Sequence, residues 1–148
     1  MSEKRFKLSA AVYVLLINAD NVFLLRRFNT GWSDGLYTVP AGHIDGNEPL
    51  SAAMCREAKE EAGVTLKSDD VRFVHAMHRK DGTGEKREYA DFFFTAHKWI
   101  GEPYNAEPST CDDGRWFPMT DLPHNLLPHV RQVIEDYKTD KKCSEIGW

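Results

Sequence analysis

Cysteine is scarce in this chain. Its 148 residues hold three, Cys55, Cys111 and Cys143, widely spaced and without a CxxC pair. This excludes a disulfide-dense scaffold and a thiolate zinc site, and it suits a reducing compartment. A cationic excess is also missing: 19 Lys and Arg against 23 Asp and Glu leave a net charge of -4. That balance argues against the basic surface a nucleic-acid or anionic-membrane binder would need. No apolar run reaches the roughly 20 residues that span a bilayer. Repeats, low-complexity tracts and linker-like stretches are absent, so residues 1–148 are expected to form one domain. Lys4, Arg5 and Lys7 before the apolar run Leu8 to Ile17 superficially match a short signal peptide. The run is rich in Val and Ile, meets a turn at Asn18-Ala19-Asp20-Asn21 and resumes as Val22-Phe23-Leu24-Leu25, which reads as a hairpin instead. A soluble, cytoplasmic protein with no membrane partner is expected.

Hydrophobic residues at 41% and charged residues at 28% are ordinary globular usage. Phe28 to Gly35 reads as a loop and Leu36 to Val39 as a short strand stopped by Pro40. From Pro49 to Ala62 the residues are mostly strong helix formers. Pro49 suits the first turn, Glu48 the positive end and Gly63 the stop, so a helix over roughly 49–62 is expected. Val71 to Arg79 and Arg87 to His97 read as two strands of a second hairpin, with its turn at Asp81-Gly82-Thr83-Gly84. A polar loop over Gly101 to Asp113 precedes a short strand at Arg115-Trp116-Phe117. Val130, Val133, Ile134 and Tyr137 have helical spacing within 128–137. The polar tail after Lys138 is expected to be loosely ordered. The pattern is that of an α+β domain with helices packed on a mixed sheet.

The chemistry-bearing residues follow Val39. Gly42 is followed by Glu48 and then by Arg56-Glu57-Ala58-Lys59-Glu60-Glu61-Ala62-Gly63-Val64. On a helix Glu57, Glu60 and Glu61 share one face at i, i+3 and i+4. Three carboxylates so close repel one another, and a cation between them would convert that repulsion into binding. Oxygen-only donors favour Mg²⁺, Mn²⁺ or Ca²⁺ over zinc. A run such as REAKEE is otherwise common as a solvated helix face; the bounding glycines and Glu48 set this one apart.

Over Gly42 to Val64 the sequence resembles the Nudix hydrolase box: a Gly, five residues, a Glu, seven residues, then Arg-Glu-aliphatic-any-Glu-Glu-any-Gly-aliphatic. Gly42, Glu48, Arg56, Glu57, Glu60, Glu61 and Gly63 fill every fixed position, and Val64 the final aliphatic one. Ala58 is smaller than usual. The resemblance implies an α/β/α sandwich with a mixed sheet between helices, and a Mg²⁺-dependent pyrophosphohydrolase for which Mn²⁺ can substitute. It implies Glu57, Glu60 and Glu61 as metal ligands, Glu48 as an auxiliary ligand or support, and the Gly42 carbonyl as a further ligand. Arg56 would orient a box glutamate through a charge-assisted hydrogen bond. Metal would neutralise the diphosphate and acidify the attacking water. Outside the box, Glu107 resembles the loop glutamate that serves MutT-type triphosphatases as base or further ligand, with Asp112 and Asp113 as competitors.

The box reads the diphosphate, not what is attached to it. Markers of ADP-ribose, dinucleoside polyphosphate and coenzyme A pyrophosphatases are missing at their usual places. Arg27 at the end of the second strand and Asn125 in Asp121-Leu122-Pro123-His124-Asn125 resemble the MutT-like group. Phe28, Trp32, Tyr37 and Trp116 are candidates to stack on a base, and Trp32 and Tyr37 join Arg27 and Asn125 as expected substrate-binding residues. The substrate expected is a nucleoside triphosphate, including an oxidised one, cut to monophosphate and pyrophosphate. A nucleotide-sugar or other diphosphate-linked metabolite is the alternative. A non-catalytic ligand-binding module is the less favoured class, because such modules usually lose a box glutamate. Catalysis would rest on Glu60, Glu57, Arg56 and Glu107. No stable nucleic-acid partner is expected; the protein would be a monomer or homodimer acting on a small nucleotide.

Overall fold

A computed structural model describes residues 4–81 and 87–148. Its centre is β1 (Ser9–Asn18), whose middle is buried on both faces. Val12, Val14 and Leu16 point to one side and Ala11, Tyr13, Leu15 and Ile17 to the other. A strand covered on both faces needs no polar alternation, which is why the run is continuously apolar. The turn after Asn18 places Ala19 at φ 53 and returns the chain as β2 (Asn21–Arg27).

The hairpin is closed only near its tip, where Ile17 pairs with Val22 and Asn18 with Asn21. Further back the strands part. β1 pairs with β4 (Ala41–His43) through Ala11, Val12 and Tyr13. β2 pairs with β3 (Tyr37–Thr38) and, along its length, with β7 (Cys111–Pro118). On the other side β1 runs parallel to β6 (Glu88–Ala96), which is antiparallel to β5 (Val71–Lys80). The sheet is therefore mixed, with eight strands among the described residues.

Each face carries one helix. α1 (Leu50–Ala62) brings Ala53, Met54, Ala58 and Ala62 onto Val12, Val14, Leu16, Phe23 and Leu25. α2 (Pro128–Lys138) brings Val130, Val133 and Ile134 onto Leu15, Ile17, Leu24 and Phe93. Each large apolar side chain fully buried in this way contributes roughly 1.5–3 kcal/mol. This is the expected sandwich of sheet between helices. Among the described residues no helix is long and apolar enough to cross a membrane.

Several expectations need correction. Pro49 is the cap residue of α1, so the helix starts at Leu50. β7 begins at Cys111 rather than Arg115. Its acidic residues are absorbed locally: Asp112 accepts from Arg26 at 2.7 Å, and Asp113 accepts from Arg115 at 2.7 Å and from the Tyr37 hydroxyl. The tail beyond Lys138 is not loose; Cys143–Ile146 forms β8, parallel to β5 from Ala76 to Arg79. Within β5 the register slips between Phe73 and His75, so that Phe73 lies opposite Phe94 and His75 opposite Phe93. The hairpin of β5 and β6 is present, while the turn expected at Asp81 to Gly84 falls largely outside the described residues.

Candidate active site

The helix α1 is stopped by Gly63 in the left-handed conformation, φ 72, which glycine adopts at no steric cost. The following chain then folds back over the helix end: Tyr104 N–H donates to the Ala62 carbonyl and Ala106 N–H to that of Glu61. Two otherwise orphaned helix carbonyls are thereby satisfied, and Glu107 is delivered beside the carboxylates of α1. Its own loop is closed by Asn105 Oδ1, which accepts from Glu107 N–H at 3.2 Å.

Arg56 organises the start of the site. It donates to Glu48 at 2.8 Å and to Glu57 at 2.7 Å, and stands 3.3 Å from Asp45 and 3.6 Å from Glu60. The guanidinium holds the Glu48 carboxyl below the usual carboxylate range. Glu48 thus faces Arg56, while Glu57 is turned inward against Gly42. A Cβ on Gly42 would overlap the Glu57 carboxylate, so a side chain at this position would push that carboxylate out of place.

Glu61 projects from the same face and accepts from Ala41 N–H at 2.9 Å. Burial pushes its carboxyl up to about 8, helped by the nearby negative charges of Glu57 and Glu107. Burial also raises Glu57, with Glu60 and Glu107 adding to it and Arg56 opposing. Glu60 is the most exposed of the three, its side chain 48% accessible. Glu57, Glu61 and Glu107 feel one another electrostatically, and the Arg27 guanidinium partly offsets them at Glu61. Among the described residues, no group of three or more His, Cys, Asp or Glu side chains is placed so as to hold a metal ion as it stands. The donors are all carboxylate oxygens, they repel, and their compensation is incomplete at Glu61. That chemistry fits a hard divalent cation.

Glu57 and Glu61 line a cavity of about 670 Å³, which Glu48, Glu60 and Glu107 do not. It lies where β1 and β2 separate, floored by Ala11 and Tyr13, with Glu57 and Glu61 on one wall and Arg79, Tyr89 and His129 toward the far end. Arg27 and Trp32, expected from the sequence, both line it. The Arg27 guanidinium lies 4.8 Å from the Trp32 ring centroid and donates to the Trp32 carbonyl at 2.8 Å.

Tyr37 and Asn125 do not line it. Tyr37 is 5% exposed, packed in the core against Phe117 with its hydroxyl spent on Asp113. The Asn125 side-chain amide donates to the Gly35 carbonyl at 2.9 Å, tying two loops together. Trp116 also belongs to packing, against Phe23 and Trp99.

Sequence reasoning missed the far end. Arg79 donates to Asp91 at 2.7 Å and lies 4.1 Å over the Tyr89 ring. Asp91 is fully buried, and one of its oxygens has no partner within the described residues. Tyr13, stacked on Phe93, contacts His129 at 3.3 Å. Burial, reinforced by Arg79 and Arg27, drives the His129 imidazole down to about 3, so it is neutral. The available signal was the alternation of Tyr89, Asp91 and Phe93 on one face of a strand, readable only once the register of β5 and β6 was known.

Residues 7–137 match the NUDIX domain model, and the chain belongs to that family. It is 28% identical over 137 residues to the NAD-capped RNA hydrolase NudC of Stutzerimonas stutzeri, covering 88% of this chain and 43% of that protein. It is 26% identical over 103 residues to the uncharacterized Nudix hydrolase YvcI of Bacillus subtilis, covering 70% and 61%. The chain thus spans less than two thirds of the length of these curated relatives. A MutT NUDIX hydrolase from Burkholderia pseudomallei superposes with a TM-score of 0.80 at 25% identity, covering 88% of this chain and 98% of that one.

Proposed function

We propose that this protein is a Mg²⁺-dependent pyrophosphohydrolase acting on nucleoside diphosphate-linked compounds, foremost nucleoside triphosphates, which it cuts to monophosphate and pyrophosphate. One observation carries this reading: the repelling carboxylates of Glu57 and Glu61 share a single cavity with the Arg27–Trp32 pair. An acidic end suits a metal-bridged diphosphate, and an aromatic face backed by a guanidinium suits a nucleobase.

Glu57, Glu60 and Glu61 would hold the cation, with the Gly42 carbonyl beside them and Glu48 supporting through Arg56. The cation supplies charge neutralisation for the diphosphate and a more acidic water. Arg56 fixes the Glu57 carboxylate by a charge-assisted hydrogen bond. Glu107, beside Glu57 and Glu61, is the general base or a further ligand. Asp112 and Asp113 are committed to Arg26, Arg115 and Tyr37 and are set aside. The filled box disfavours a non-catalytic module.

A second reading has its own support. Arg79 over Tyr89 forms another cation–aromatic station in the same cavity, so a diphosphate joining two ring systems would also be accommodated. The name of the NudC relatives, NAD-capped RNA hydrolase, agrees with that reading. A panel of nucleoside triphosphates, nucleotide sugars and dinucleotides with Mg²⁺, scored for products, tests both. Monophosphate plus pyrophosphate from triphosphates supports the first. Turnover confined to dinucleotides selects the second, turnover confined to nucleotide sugars keeps the enzyme class but overturns the triphosphate preference, and no turnover of any of them overturns both.

A further inference from the structure

The acidic net charge is unevenly spread. A second cleft of about 880 Å³ lies at the other end of β5 and α2 from the candidate active site. Arg72, Lys98, Lys138, Lys141 and Lys142 line it, against the acidic Asp70 and Asp140. Counting these, five cations less two anions give +3 in a chain whose total is -4. All five cations are exposed.

The cationic wall is held by buried atoms. His75, 1% exposed, contacts the Lys141 carbonyl through Nδ1 at 2.9 Å and the Ser144 hydroxyl through Nε2 at 2.7 Å. Lys141 N–H donates to the Asp136 carbonyl at 2.9 Å, and Ala76 N–H to that of Lys142 at 3.0 Å. These bonds fix the backbone from which Lys141 and Lys142 project. The Lys142 ammonium pairs with Asp140 at 3.0 Å, and that of Lys138 with the Met119 carbonyl at 2.6 Å and Glu135 at 3.3 Å. These are exposed contacts that a phosphate can exchange at little cost.

Phe73 also lines the cleft and is 51% exposed. The register slip between Phe73 and His75 separates their faces: His75 goes inward to clamp the lysines while Phe73 stays in solvent. Bulges of this kind re-aim side chains. The Phe73 ring leans on Phe92 and Phe94, with centroids 6.3 and 5.8 Å away, while about half of its surface stays accessible.

We propose that this cleft binds single-stranded RNA, with the lysines and Arg72 on successive phosphates and Phe73 under a base. A basic groove with an aromatic platform is the chemistry of single-strand binding. The concave shape and the braced ring disfavour a membrane surface, which calls for apolar side chains that protrude. From Arg72 to Arg79 along β5 is roughly 20 Å at about 3.3 Å per residue, so the cleft and the candidate active site are separate.

The test is fluorescence anisotropy with a short labelled oligouridine across a salt series. Wild-type protein is expected to bind, with log K falling as log salt rises. The Lys141→Glu/Lys142→Glu variant should bind on the order of tenfold more weakly. Its salt slope should be shallower by about 1.4, since each lysine–phosphate pair accounts for about 0.7. Arg72→Glu, on β5, should weaken binding in the same sense. Phe73→Ala should lose roughly fivefold or more without altering the slope. Hydrolysis of small nucleotides should be unchanged in all of these variants. Absence of RNA binding by the wild type at low salt would overturn the proposal. So would equal binding by the charge-reversed variants, displacement of the RNA by a small nucleotide substrate, or capture of phosphatidylserine vesicles in place of RNA.

Discussion

The Glu57 carboxylate lies so close over the backbone of Gly42 that even a methyl group there would displace it. A glycine in a loop and a glutamate on a helix, fifteen positions apart by number, are thereby one structural unit. Arg56 closes it from the other side at 2.7 Å.

Gly42→Ala should therefore displace Glu57 while leaving the core intact. Steady-state assays should show activity down on the order of a hundredfold, the scale of a misplaced catalytic group, with the circular dichroism spectrum unchanged. Activity near wild type would show that the position of Glu57 does not matter.

Glu60→Gln should remove most turnover without unfolding the protein. Its side chain is 48% accessible, so little packing is lost, but the charge of a proposed metal ligand disappears. A Tm within about 2 °C of wild type with turnover largely abolished is the expected pair of results. Near-normal turnover would remove Glu60 from the metal site.

Glu61 ties stability to pH. Its folded-state value of about 8 stands above the ordinary 4.5. Between those limits the folded chain keeps a proton that the unfolded chain has released, so stability is lost as pH rises through that window. Glu61→Gln carries no such proton. Its Tm advantage over wild type should widen from about pH 5 to about pH 8, while turnover falls. Added Mg²⁺ should raise the wild-type Tm more than that of the variant, since only a folded site with its full charge binds tightly. A constant Tm difference across pH would contradict the buried carboxyl.

His129 acts in the opposite sense. Its folded value of about 3 lies below the ordinary 6.5, so the unfolded chain takes up a proton that the folded chain refuses. Stability falls as pH drops from 6.5 toward 3, by up to about 1.4 kcal/mol per unit. His129→Gln should flatten this loss relative to wild type in thermal melts, and parallel curves would argue against a buried neutral ring.

The parts legible in the sequence were those whose signals are local. The box glutamates, Gly63 and both helices follow from spacing and composition within a dozen or so residues. The hairpins follow from apolar runs around turn residues. What escaped depends on distant pairing. Cys143-Ser144-Glu145-Ile146 is polar and short, and becomes a strand only because β5 offers an open edge. Arg79 and Asp91 meet through register, not through proximity in sequence. Tyr37 has the aromatic character of a stacking residue and Asn125 lies in a MutT-like segment, but burial and a loop-tying hydrogen bond commit them elsewhere.

β1 has a further consequence. Its alternate residues belong to the two opposite cores, so neither helix layer can come away without exposing the strand that anchors the other. Inserting one residue between Val12 and Ile17 would turn every later residue of the strand toward the wrong core. The molecule is thus expected to unfold in one cooperative step, with the amides of β1 the last to exchange with solvent.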